Sequence, residues 1–167
     1  MTVQRLVALL NGRAIGEVRR DPHNRLTFAY DVDWKTDRHA MPLSLSLPLS
    51  HTEHASDAIE AFIWGLLPDN ELVLERWAKS FHVSARNPFA LIANVGEDCA
   101  GAVQFVQPER LSELLTGPQP PVQWLSEAEV SARLRVLRQD QAAWRLPRDT
   151  GQFSLAGAQA KDAFKNN

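Results

Sequence analysis

Apolar side chains follow two periods along this chain, and the period changes near residue 55. Before that point the repeat is two, the spacing that puts alternate side chains on one face of a strand. Residues 5–10 and 13–18 are apolar-rich runs on either side of Asn11-Gly12. That dipeptide accepts the positive φ angles of a tight hairpin turn, so the pattern predicts a β-hairpin. In residues 25–30, Leu26, Phe28 and Tyr30 alternate with Arg25, Thr27 and Ala29, which predicts a third strand with one buried face. Residues 43–49 place leucine at every second position, and this predicts a fourth strand. Pro42 and Pro48 restrict it to a sheet edge or an extended segment, because proline cannot donate to a ladder.

The repeat then becomes helical. Ile59, Phe62, Ile63, Leu66 and Leu67 form one stripe, with Asp57 and Glu60 at capping-box spacing and Pro68 beyond. A second helix is predicted over residues 71–81, capped by Asp69 or Asn70, with Val73, Leu74, Trp77 and Phe81 inward. A third opens at Asn87-Pro88, turns Leu91, Ile92 and Val95 inward and stops at Gly96. Residues 101–107 read as a further strand, and the proline-rich stretch 108–123 reads as a loop. A last helix runs from a Ser126/Glu129 capping box to about residue 139, with Val130, Leu134 and Leu137 on its stripe. Strands followed by helices predict an α+β fold, a small antiparallel N-terminal sheet with short helices packed on it and a further helix behind.

Composition narrows the setting. With 167 residues, 44% of them hydrophobic, the chain can bury one sizeable core. A net charge of -2 offers no general attraction for nucleic acid or anionic lipid, so no direct nucleic-acid contact is expected. Cys99 is the sole cysteine, which rules out an internal disulfide. The apolar run at the start is too short for a membrane span and has no cleavage pattern, so no membrane association and a cytoplasmic location are expected.

Candidate chemistry is sparse. Residues 154–161, Ser-Leu-Ala-Gly-Ala-Gln-Ala-Lys, make a loop of small side chains ending in lysine. Such a loop lets backbone N–H groups approach phosphate oxygens beside an ammonium, and it also serves as a plain connection. Arg133, Arg135, Arg138, Arg145 and Arg148 are read as a solvated face interrupted by Asp140 and Asp149. His51 and His54 have metal-clasping spacing but no third ligand nearby, and are read as solvated imidazoles in a loop. Trp34, Trp64, Trp77, Trp124 and Trp144 are read as core or interface anchors.

Four blocks, taken in order, resemble the HipA family of serine/threonine kinase toxins. Residues 41–49, MPLSLSLPL, resemble its PLSLSLPL signature, and Gly65-Leu66-Leu67-Pro68-Asp69 its NLLPD block. Residues 87–92 with 96–103 are similar to its PF-x-LL…G-x-D-x-x-GAV segment, and residues 153–161 to its S-[VL]-AGAQ-x-K loop. The resemblance implies a kinase that uses ATP and Mg²⁺ to phosphorylate a serine on a translation factor, typically a glutamyl-tRNA synthetase, under restraint by a HipB-like DNA-binding antitoxin. It places Ala156, Gly157, Ala158, Gln159, Ala160 and Lys161 on the ATP phosphates and makes Ser154 the autophosphorylation candidate. It also divides the chain into an N-terminal subdomain (1–108), a proline-rich linker with a connecting helix (109–150) and the truncated start of a kinase core (151–167). Ala160 stands where the family commonly has glutamate.

In the family the catalytic and metal-binding residues follow the loop, and the phosphate-binding loop is therefore incomplete here. This chain alone is expected to have no catalytic residue, no metal site, no cofactor and no kinase activity. The alternative expectation is a stand-alone, antitoxin-like module that binds and restrains a separate kinase core. Trp124, Trp144 and Leu146 are the candidates for that contact, or else pack on the last helix.

Overall fold

The computed structural model describes residues 4–98, 102–118 and 124–140. Strand β1 (Arg5–Leu10) and strand β2 (Arg13–Arg20) form the predicted hairpin. Asn11 and Gly12 take φ of 50° and 75°, the conformation the turn demands. Strand β3 (Leu26–Tyr30) buries Leu26, Phe28 and Tyr30. With β4 (Glu53–His54) and β5 (Val103–Val106), the sheet runs β4-β3-β2-β1-β5, and every pairing is antiparallel.

One extra residue shapes this sheet. Ala8 pairs with Gly16 and Leu9 with Ala14, which leaves Ile15 as a bulge in β2. Ile15 is fully buried, and its carbonyl accepts the Asp31 N–H at 2.9 Å. The short helix α1 (Val32–Thr36) starts from that anchored residue. Gly16 lies so close to β3 that a Cβ there would run into the Ala29 carbonyl oxygen and within 2.9 Å of the Tyr30 Cα.

Helices α2 (Ser56–Trp64), α3 (Glu71–Phe81) and α4 (Pro88–Val95) supply the other half of the core. Ile59, Ile63, Phe89, Leu91 and Ile92 close on Leu6, Val18, Phe28 and Phe105. Two caps are as expected. Asn70 Oδ1 accepts the Leu72 N–H at 3.0 Å, and Asn87 Oδ1 accepts the Ala90 N–H at 3.0 Å, with Pro88 at the first helical position. The edge strand β5 is further tied down by Gln104, which donates to the Glu97 carbonyl, and by Gln107, which donates to the Ala93 carbonyl, both at 2.9 Å. On the opposite face of the sheet Leu9 and Val106 are also fully buried, and α5 (Pro108–Thr116) packs against β1. Helix α6 (Glu127–Gln139) carries the complete Ser126/Glu129 capping box.

The α+β class holds, with five strands and six α-helices among the described residues. Three local expectations fail. Residues 43–49 form a sequence of turns and bends instead of a strand. The Asp57/Glu60 box is absent, since α2 begins two residues earlier, at Ser56, and is capped by Ala55 without a side-chain bond. The Ser56 hydroxyl at the start of α2 accepts the Leu26 N–H of β3 at 3.0 Å. The stretch read as a loop from residue 108 starts with a helix, because Pro108 occupies a first-turn position, where its missing N–H costs nothing. Among the described residues no helix is long and apolar enough to cross a membrane.

Replacement of Gly16 by alanine should lower stability by about 1–3 kcal/mol, since Ala29 and Tyr30 backbone must move to admit the methyl group. Gly12→Ala meets open space and strains only the turn, so it should cost about 1 kcal/mol. Urea denaturation of the two variants should separate them in that order, and equal midpoints would contradict the close-approach argument.

Candidate functional site

The signature stretch is a braced loop. Tyr30, 5% exposed at the end of β3, accepts the Leu43 N–H at 2.8 Å on its hydroxyl and donates that hydroxyl to the Leu47 carbonyl at 2.7 Å. Burial pushes the Tyr30 phenol above its ordinary pKa, with the Leu43 N–H acting weakly the other way, so it remains a neutral donor at physiological pH. From α1, the Trp34 indole N–H donates to the Met41 carbonyl at 3.2 Å and the Lys35 ammonium to the His51 carbonyl at 3.3 Å. Four backbone positions of residues 41–51 are thereby pinned by three side chains.

Trp34 is itself held. The Arg13 guanidinium sits 5.1 Å above its ring and pairs with Asp37 at 2.6 Å. The His39 N–H and then Arg13 hold the Asp37 carboxyl below the usual carboxylate range. At the tip of the loop the Ser44 hydroxyl accepts the Ser46 N–H at 3.2 Å and shares a 2.9 Å bond with the Ser46 hydroxyl. The Leu47 N–H closes the turn on the Ser44 carbonyl at 3.0 Å. Leu47 is fully buried while Leu45, two residues away, is 97% exposed. The alternating leucines thus do three different jobs, with Leu43 and Leu49 half-buried against the core.

The second candidate surface is α6. Its Leu137 is buried, and Asp140 at its end makes a bidentate pair with Arg76 of α3 at 2.8 and 3.1 Å. Leu134, Val136 and Trp124 stay 47%, 41% and 59% exposed. Of the expected stripe, therefore, only Leu137 is buried. Arg135 and Arg138 are exposed, in keeping with a solvated face, and Asp140 finds its partner on another helix.

The predicted phosphate-loop residues Ala156, Gly157, Ala158, Gln159, Ala160 and Lys161, the candidate Ser154, and Trp144 and Leu146 lie outside the described residues. Among the described residues no group of three or more His, Cys, Asp or Glu could hold a metal. His51 and His54 do come together, with ring centroids 5.7 Å apart, but His54 is only 4% exposed. Its expected solvation is therefore corrected: pairing of β4 with β3 carries it against Phe28 and Tyr30. The bracing roles of Tyr30, Trp34 and Lys35 were not apparent from spacing, because their partners are backbone carbonyls and an amide far along the chain. The signal that could have exposed them was the Pro42/Pro48 pair, which bars a ladder and leaves the loop backbone in need of other partners.

Residues 6–106 match the family model described as HipA N-terminal domain. The chain is 36% identical over 167 residues to the putative kinase Y4mE of Sinorhizobium fredii, matching 96% of this chain and 38% of that protein. It is 32% identical over 96 residues to an uncharacterized protein of Haemophilus influenzae, of which it covers 85%. Among solved structures it is similar to Shewanella oneidensis HipA in a complex with HipB and its operator DNA, with a TM-score of 0.61 and 30% identity over 88% of this chain and 32% of that one. The chain thus spans about a third of the length of the kinase relatives it matches.

Tyr30→Phe removes one hydroxyl and leaves a buried N–H and a carbonyl without their partner. It should cost about 1–3 kcal/mol and accelerate exchange of the Leu43 amide, whereas Leu45→Ala should stay within about 0.5 kcal/mol of the parent. Denaturation together with amide hydrogen exchange reads both, and a Tyr30→Phe chain with a fully protected Leu43 amide would contradict the brace.

Proposed function

The chain belongs to the family of HipA N-terminal domains, and from that premise we propose that it is the docking lobe of a HipA-like serine/threonine kinase, with no phosphotransfer activity in a polypeptide of these 167 residues. The observation that carries the docking role is the signature loop. A chain that fixes a loop backbone at four points and then holds a leucine 97% exposed at its tip has pre-organised an apolar anchor. Pre-organisation lowers the entropy lost on association, and an ordered apolar side chain in water gains from being covered. Met41 at 55% exposure extends that surface, and Trp124 with Leu134 offers a second.

Phosphoryl transfer is carried by positioning and metal-binding groups around ATP. In this reading those groups, with ATP and Mg²⁺, belong to the part of the kinase that pairs with the lobe. Residues 156–161 would offer the phosphates backbone N–H groups and the Lys161 ammonium, and Ser154 would be the residue modified. The translation-factor substrate meets the complete kinase in the cytoplasm. A HipB-like DNA-binding protein is the expected regulatory partner, since the similar Shewanella oneidensis HipA is seen with HipB and operator DNA.

A second reading has its own support. The Haemophilus influenzae relative is covered over 85% of its length, so a lobe of this kind accounts for nearly all of at least one related chain. There the same surface would bind and restrain a separate kinase core. Both readings place the function in a protein interface.

The 167-residue polypeptide, incubated with labelled ATP and a glutamyl-tRNA synthetase, should incorporate no label above a protein-free control. Mixed with a HipA-like core lacking its own lobe, it should associate, and Leu45→Ala or Trp124→Ala should weaken that association by about 2 kcal/mol if either is an anchor. Calorimetry checks the second outcome. Label incorporation, or binding indifferent to both substitutions, would overturn the docking reading. Restoration of kinase activity on mixing favours the lobe of a kinase, and inhibition favours the restraining module.

A further inference from the structure

Strand β4 is two residues long, and its second residue, His54, is the buried polar side chain among the described residues. The imidazole lies stacked on Phe28, with centroids 6.0 Å apart and planes at 27°, and edge-on to Tyr30 at 5.6 Å and 89°. Its Nε2 is buried without a hydrogen-bond partner. The Pro48 backbone interacts with the ring, and with the other nitrogen protonated the neutral ring leaves its bare lone pair on Nε2. A bare lone pair against aromatic walls is tolerable. An N–H with a positive charge in the same place, with no acceptor, is costly.

The surroundings make that cost larger. From the loop His51 faces the ring, and from α1 Lys35, so the ionisable groups that act on its charge are both cationic when protonated. β3 contributes Phe28, whose face would partly compensate a cation, and the Tyr30 hydroxyl, already committed to Leu43 and Leu47. Glu53, the neighbour on β4, is exposed on the other side of the strand. β4 itself is held to β3 only at Phe28↔His54 and Ala29↔Glu53.

We propose that His54 is the pin of an acid-released latch: neutral, it lets β4 and the 41–51 loop lie closed on β3, and protonated, it frees them. This device is separate from the docking role, because its readouts are taken on the chain alone. Burial first, then His51 and Lys35, hold the His54 pKa below its ordinary 6.5, with the Pro48 carbonyl opposing. An opened chain therefore takes up a proton near 6.5 that the closed chain refuses, so closure is fully favoured above that pH and loses ground as the pH falls below it. Because Tyr30 touches both the pin and the loop, opening at β4 loosens the turn that presents Leu45.

The test is an NMR titration of the 167-residue chain from about pH 8 to pH 5, following the His54 ring and the backbone amides. His54 should titrate below its ordinary 6.5. As it does so, exchange of the Leu43 amide, corrected for its intrinsic pH dependence, should rise about tenfold while β1–β2 amides keep their protection. His54→Phe, which keeps the aromatic slot filled, should abolish that acid-linked rise. Lys35→Gln, which removes a nearby cation together with its bond to the His51 carbonyl, should move the His54 midpoint upward by either route. Titration of His54 at or above 6.5, a Leu43 amide still protected once His54 is charged, or an unchanged midpoint in Lys35→Gln would each overturn the latch, even if His54→Phe failed to fold.

Discussion

The bulge at Ile15 is the constraint from which the rest of this lobe follows. By inserting one residue between the Gly16 and Ala14 pairings, β2 turns Ile15 into the core and frees its carbonyl for Asp31. That bond fixes where the chain leaves β3, and α1 starts there. Trp34 and Lys35, one helical turn further on, consequently arrive beside the loop they brace. The close approach of β3 at Gly16 is the other half of the same geometry, since it sets Tyr30 at the height from which one hydroxyl reaches both Leu43 and Leu47. A side chain at residue 16 would disturb the strand, the helix exit and the loop together.

Magnitudes explain why the brace takes this form. Each hydrogen bond to the loop returns about 1 kcal/mol net, and the full burial of Leu47 contributes roughly 2 kcal/mol, with Leu43 and Leu49 partly buried beside it, so bonding and burial hold the loop together. The surface ion pairs weigh less. Arg76 and Asp140 are each more than 40% exposed, so their bidentate pair orients α6, and the burial of Leu137 does more to hold it.

Much of this was legible in the sequence wherever the signal is local. Asn11-Gly12, the Asn70 and Asn87 caps, Pro88 and the Ser126/Glu129 box each act within four residues, and each appears where its chemistry places it. The readings that failed depend on partners distant in the chain. The leucine alternation of residues 43–49 imitates a strand, but its backbone bonds go to a tyrosine hydroxyl thirteen residues earlier and to its own turns. Ser56, the first residue of α2, bonds the Leu26 N–H thirty residues earlier, and His54 is buried by a strand pairing no periodicity announces. Pro108 was legible and misread, since proline opens helices as readily as it fills loops. The family blocks located the braced loop without revealing what braces it, and the phosphate-loop residues fall outside the described part of the chain.

The two edges of the sheet are unequal, and this gives the lobe a mechanical direction. β5 is sewn to β1 over four residue pairs and tied down again by Gln104 and Gln107, so a load entering from α5 is shared across a ladder and two side-chain bonds. β4 meets β3 over two pairs, so a load on that side peels one contact at a time. The lobe is therefore stiff along its β5 border and opens first along its β4 border.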